Sequence, residues 1–286
     1  MKHSIIPGLI LLSSLSIAQD NDSIKAIHSE LDLLYIAEVE DDHQPDKVLH
    51  AEPLYIDLIR DLGARKGERE WNFGFGMTDN LRYDTYQALL EYEFAPVDRL
   101  GFEIELPVTF YAGQVNNGSD PVPGHRIESI KLAAQWSFFV STRMQTSMAL
   151  GYINEFEFSD LRDFGKPLFR GNTFNPFFVV ARRFGNNWHT LVYTGPKFNW
   201  ERDTRHLNTK YEVNTNLHYM ITGTRNFVGL EFNKSVSHDF DMVIRPQMRL
   251  AIVDNFLIGI VGGIPVSREN QRFSMFTRII WEPHRQ

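Results

Sequence analysis

The sequence predicts an all-β protein, an antiparallel transmembrane β-barrel of about 12 strands with a short N-terminal helical segment. Three observations carry this. From Arg69 onward the chain is a succession of runs in which apolar and polar residues alternate. Short, turn-like connections alternate with longer ones. A segment with the layout of a secretion signal opens the chain.

The elements follow in chain order. Residues 1–18 have a basic start (Lys2, His3), an apolar stretch from Ser4 to Leu15, and a Ser16-Ile17-Ala18 tail with small residues at the cleavage-specifying positions. Cleavage there leaves Gln19 as the first residue. The alternative is a buried helix or membrane anchor, for which the apolar stretch is short. Residues 19–66 form a periplasmic or plug segment with two short helices. Ser23 caps the first, in which Ile24, Ile27, Leu31 and Leu34 recur at helical spacing. Asp41–Asp46 is a loop. Pro53 opens the second, about 53–62, where Leu54, Leu58 and Leu62 share a face and Gly63 suits the position just past the end.

Residues 67–286 are the barrel. In the run Leu100–Tyr111, Leu100, Phe102, Ile104, Leu106, Val108 and Phe110 line one face. Gly101, Glu103, Glu105, Thr109 and Tyr111 line the other. A strand of about 10 residues, apolar towards lipid and polar towards the lumen, is the unit of such a barrel. The same pattern places strands near 69–78, 83–95, 100–111, 127–140, 145–156, 175–184, 188–198, 209–221, 226–234, 240–252, 256–266 and 272–282. The patterning near 175–198 is weaker and leaves room for two strands fewer or more. Short connections fall at 96–99, 141–144, 185–187, 222–225 and 253–255, and long ones at 112–126 and 157–174. This asymmetry is that of periplasmic turns against extracellular loops.

Composition agrees and excludes alternatives. There is no cysteine, so no disulfide, thiolate chemistry or lipidated N-terminal cysteine is expected. The formal net charge is −7; without Lys2 the exported chain has 28 basic against 36 acidic residues, or −8. No basic face for nucleic acid is expected. After the signal no apolar run is long enough for a membrane helix. Thirteen per cent aromatic residues, 22 of them Phe, suit interfacial girdles. They also suit a soluble β-sandwich, against which stands the lipid-compatible face of Met242, Ile244, Met248, Leu250 and Ile252.

The candidate site is the lumen. A turn centred on Asp98 sets Glu93 opposite Glu103 and Glu91 opposite Glu105, so four carboxylates share one patch. Like charges this close raise one another's pKa or bind cations. Lys131, Arg245, Arg249 and Arg278 also point inward. Arg245 and Arg249 lie far round the wall from the acids, which predicts an acidic wall facing a basic one; the alternative is a salt-bridge network that fills the lumen. A further expectation is that Arg60, Arg65, Lys66 and Arg69 bring the 53–62 helix against the glutamates as a plug. No cofactor or metal motif is present. The acids Glu157, Asp160 and Asp163 match no calcium loop. Ser237-His238-Asp239 is contiguous, which is not the geometry of a catalytic triad. His218 reads as a hydrogen-bonding lumen residue, and Gly74 and Gly76 as positions that make room inside. The chain is not expected to be an enzyme.

The segment His50–Asn72, beginning His-Ala-Glu-Pro-Leu-Tyr-Ile-Asp, resembles one carried by little-characterised outer-membrane barrel proteins of Gram-negative bacteria. Glu-Leu-Pro-Val at 105–108 is similar to an element of outer-membrane transporters assigned to aromatic-compound pathways. The resemblance implies an outer-membrane location and a barrel. The expected function is a narrow channel or transporter for a small polar or aromatic solute. The alternative is a non-conducting barrel serving as scaffold or subunit of a cell-envelope complex. Expected partners are outer-membrane lipid, a small solute and, on the alternative, a periplasmic or outer-membrane protein.

Overall fold

Alternation along the chain becomes a closed wall because every strand finds both edges paired. The computed structural model describes residues 8–56 (side chains from 23), 62–113, 122–160 and 167–283. Its strands are β1 (Arg69–Asn80), β2 (Tyr83–Val97), β3 (Leu100–Gly113), β4 (Arg126–Ile127), β5 (Ser129–Ser141), β6 (Thr146–Phe158), β7 (Phe169–Phe184), β8 (Trp188–Glu201), β9 (Leu207–Met220), β10 (Phe227–Val236), β11 (Phe240–Val253), β12 (Phe256–Pro265) and β13 (Gln271–Trp281). Apart from β4 and β5, strands that follow one another in the chain pair antiparallel, and β1 also pairs with β13, Trp71 opposite Trp281. β4 and β5, parted only by Glu128, both pair with β3 and make one stave. Among the described residues this is a closed barrel of twelve staves. The expected strand positions hold, except that β7 begins at Phe169 rather than near 175. Strand pairing of Glu157 with Gly171 and of Phe158 with Phe169 shortens the expected 157–174 loop.

Short turns crowd one end. Arg99, Gln145, Gly185 and Gly223 have positive φ there, as tight hairpin turns require. The wall is apolar outside and polar inside. Leu90, Ile104, Leu132, Leu150, Val192, Leu217, Val228 and Ile260 are exposed, whereas Glu91, Glu103, Gln135, His189, Asn216, Glu231 and Arg278 are buried. Aromatic rings gather outside near the short-turn end: Trp71, Tyr92, Phe94 and Phe102 in one chain of contacts, Trp136, Phe138 and Phe178 in another, and Trp188 with Tyr219. Tyr86, Phe110 and Tyr211 are exposed nearer the long-loop end. Such an inverted surface with two aromatic girdles matches a bilayer.

The N-terminal part departs from expectation. One helix, α1 (Gly8–Val39), runs through Ser23, which is therefore interior and not a cap. Among the described residues of the expected 53–62 helix, Pro53 is irregular and Leu54–Ile56 form a bend. Leu58 and Arg60 lie outside the described residues. Gly63 has φ +95, the left-handed conformation expected of it.

Candidate functional site

The chain that follows α1 turns into the barrel from the short-turn end and crosses its lumen. Val48, Leu49, His50, Ala51, Leu54 and Ile56 are all at most 9% exposed. A buried, irregular backbone must find partners for its polar groups, and here the wall's side chains supply them. Ala51 N donates to His189 Nδ1 (3.1 Å), and His218 Nδ1 donates to Ala51 O (3.0 Å). His189 and His218 are register partners on β8 and β9, so one peptide unit is gripped from both sides. Leu54 N donates to Gln247 Oε1 (2.8 Å), Gly63 N to Ser137 Oγ (2.9 Å), and the Tyr55 backbone bonds Glu231. His50 Nε2 lies 2.9 Å from Ser147 Oγ. These bonds explain why 50–56 is not helical: Pro53 has no N–H, and its neighbours' donors are spent on the wall.

Apolar contacts fix the register of this lumen segment. Leu54 packs with Phe227, Leu257, Val261 and Phe276. A Cβ on Gly259 would lie 2.6 Å from Leu54 Cδ2, so the missing side chain on β12 is the socket for Leu54. Ile56 packs with Ala133, Ala149, Phe177, Val179 and Leu191. Tyr55 meets Phe276 edge-on at 5.9 Å, and the Arg245 guanidinium lies 3.3 Å from its ring centre. Gly74 and Gly76 do make room inside, facing Leu89, Phe276 and Gln87.

The short-turn end holds α1 and the segment in place. Asp32 accepts from Gly223 N (2.9 Å) in the β9–β10 turn. Glu40, just past α1, accepts from Leu49 N (2.9 Å) and pairs with buried Arg183 on β7 (2.7 Å). Burial is the largest influence on Glu40 and holds its carboxyl above the ordinary value, against the opposing Leu49 N–H and Arg183 charge.

The expected plug contacts are replaced by these. Arg65 is buried but donates to the carbonyls of Val39, Pro45 and Asp41, closing the C-terminal end of α1. Lys66 and Arg69 are exposed. None of the three meets the glutamates through its side chain.

The glutamate patch forms as expected, with Glu91 opposite Glu105 and Glu93 opposite Glu103, each at most 3% exposed. Carboxylate oxygens of Glu91, Glu93 and Glu103 lie within 4.8 Å of one another. Asn72 Nδ2 donates to Glu70, Glu91 and Glu93. Arg278 reaches Glu91 at 3.3 Å and Lys131 reaches Glu105 at 3.0 Å. The pure acidic and basic walls are thereby corrected, since two of the four expected cations sit among the acids. The other two do face a different sector: Arg249 donates to Arg225 O, and Arg245 to Asn233 and Ser274. Fully buried Glu231 stands among them, opposite Arg245.

Beyond Tyr55 and Ile56 the lumen widens into a vestibule of about 660 Å³ towards the long loops. Glu105, Lys131, Glu155, Lys197, Glu212 and Lys210 alternate in sign along one side, and Asn80, Gln87, Asn233 and Asn270 line the other. Glu91, Glu93 and Glu103 do not line it. Tyr55 and Ile56 of the lumen segment line the inner end of this vestibule, and the site residues the sequence reading missed are His50, Ala51, Leu54, Tyr55, His189 and Gly259. Inward glycine at 259 and the His189/His218 pair at one level were the available signals.

The fold is shared with known channels. An outer membrane channel from Pseudomonas putida F1 is similar over 80% of this chain and 100% of its own, with TM-score 0.61 and 10% identity. The KdgM porin is similar over 75% of this chain and 99% of its own (0.52, 11%). The NanC porin is similar over 76% and 100% (0.53, 6%). At these identities the likeness is one of fold. No curated protein matches the chain in sequence. A family match does exist, over residues 46–282, and takes in the lumen segment together with all the staves that grip it: the chain belongs to the HAEPLYID-like family.

Proposed function

We propose that this protein is an outer-membrane channel for a small polar solute, closed at its short-turn end by its own lumen segment. The observation that carries it is the vestibule of about 660 Å³, polar and open towards the long loops, whose floor is Tyr55 and Ile56. Side-chain hydrogen bonds and packing hold that floor, not strand pairing, so it is removable without opening the wall. Barrels of intermediate strand number lie between side-chain-filled and open ones, and a plugged passage suits that range. The similar porins and channel support the reading through their shared fold. The apolar outer belt supports lipid embedding, with short turns and α1 on the periplasmic side and residues 1–18 as the export signal.

The test is single-channel conductance in a planar bilayer, for the full chain and for a variant lacking residues 19–66. The expected result is little steady conductance from the full chain and a stable open level from the variant. Silence from both, with the barrel folded, refutes a channel. A second reading, a scaffold for a periplasmic protein, draws on the exposed row Ile24, Ile27, Leu31 and Leu34 of α1. Silence together with a cross-linked periplasmic partner on that row would favour it.

A further inference from the structure

The vestibule floor holds a guanidinium that is oriented but not neutralised by contact. Arg245 Nε donates to Asn233 Oδ1 (2.6 Å) and Nη1 to Ser274 Oγ (3.2 Å). Asn233 is itself oriented, because its Nδ2 donates to Glu231 Oε1 (2.7 Å). The Tyr55 ring backs the guanidinium at 3.3 Å. Among the described residues no carboxylate lies within ion-pair distance of Arg245. Arginine has five N–H donors in a planar fork, and two are spent, which leaves three. Arg245 lines the vestibule, as do Tyr55 and Asn233. Three of the vestibule's four lysines contrast with it: Lys131 pairs with Glu105 at 3.0 Å, Lys197 with Glu155 at 3.0 Å, and Lys210 with Glu212 at 3.7 Å. The fourth, Lys234, donates to Thr215 Oγ1 (2.9 Å) and has neither the fork nor the aromatic backing of Arg245.

We propose that Arg245, on its Tyr55 platform, is the binding point for the carboxylate of a small hydroxylated acid that enters the vestibule. A fixed fork with free donors suits the two oxygens of a carboxylate. The amides of Gln87 and Asn270, which line the same vestibule, suit hydroxyl groups, since an amide carries both donors and an acceptor. Glu231 lies behind Asn233 and Asp241 further along β11; they keep the floor from becoming a general anion trap and favour a single negative charge. This rests on the channel reading for its biological meaning, but the binding itself does not. Because Tyr55 belongs to the lumen segment, occupancy of the site and position of the segment are linked, and each must shift the other.

The experiment is calorimetric titration of the full chain, folded in detergent, with gluconate and, in parallel, with the neutral polyol sorbitol. Gluconate is expected to bind and sorbitol to bind at least about tenfold more weakly, the worth of a charge-assisted pair. Arg245→Gln should lose about tenfold or more in gluconate affinity and Arg245→Lys less, since lysine keeps the charge without the fork. Tyr55→Leu, which leaves the wall untouched, should weaken gluconate as well. No gluconate binding, equal binding of sorbitol, or undiminished binding in folded Arg245→Gln overturns the proposal. If Arg245→Gln does not fold, the gluconate–sorbitol difference and Tyr55→Leu still decide. A protein that binds gluconate and never conducts would sink the channel reading and leave this one standing.

Discussion

Gly259→Leu should drive the lumen segment out of the barrel. The first added carbon alone would stand 2.6 Å from Leu54 Cδ2 and 2.9 Å from Cδ1. Carbon atoms rest about 3.5–4.0 Å apart, so Leu54 would have to retreat by about 1 Å for an alanine. The whole leucine would claim its space. Leu54 is 2% exposed, and losing its burial costs about 2 kcal/mol. Its backbone bond to Gln247 goes with it, at about 1 kcal/mol. A loss of about 3 kcal/mol shifts the docked-to-undocked ratio by roughly a hundredfold. The new side chain can take Leu54's place beside Leu257 and Phe276, so the wall keeps its packing. The chain has no cysteine, which makes a single reporter clean. With Ala51→Cys in both backgrounds, maleimide labelling should run roughly a hundredfold faster in the Gly259→Leu protein than in the one that keeps Gly259. Equal rates in two folded barrels would refute the idea that Gly259 is the socket of the segment.

Three other outcomes follow from the same geometry. Glu40→Ala strips the carboxylate from Arg183, which is 2% exposed on its side chain, and should cost about 3 kcal/mol, seen as faster labelling of the same reporter. Arg278→Met leaves Glu91 buried beside other carboxylates and should lower barrel stability by about 3–5 kcal/mol in urea titrations, with Glu91→Gln added to it restoring much of the loss. Leu150→Lys puts a charge in the outer apolar belt and should destabilise the barrel in vesicles by about 2–4 kcal/mol, whereas a soluble β-protein would tolerate it at an exposed position.

The barrel was legible because a period of two and a turn are local signals. Asp98 sits in a tight turn, and from it the pairing of Glu91 with Glu105 and of Glu93 with Glu103 follows by counting along both arms. The inward set Lys131, Arg245, Arg249 and Arg278 follows from the same parity. Ion pairing between staves was less legible: Arg278 on β13 reaches Glu91 on β2 only because β1 stands between them in the closed wall. The lumen segment was the hard part. Leu54 at helical spacing from later leucines reads as one face of a helix, and Pro53 as its start. The decisive partners of 50–56 are His189, His218, Gln247 and Gly259, more than a hundred residues away in the chain. No local pattern encodes a backbone whose hydrogen bonds are made by the inside of a barrel. The basic cluster after Leu62 misled for a related reason: Arg65 is used at the end of α1, by carbonyls that any helix leaves unpaired.

The segment that fills the lumen is continuous with the first stave, through the short link from Gly63 to Glu68. A stopper that comes free therefore stays on a leash, and its return is a first-order event at an effective concentration in the millimolar range or above, whatever the dilution of the protein. Release of the His189 and His218 grip alone would be answered quickly by recapture. Lasting opening would require the second tether as well, where Glu40 meets Arg183 and Asp32 meets the Gly223 turn. On the channel proposal, current recordings should separate the two cases: brief flickers while the α1 end stays moored, and long dwells once both ends have let go.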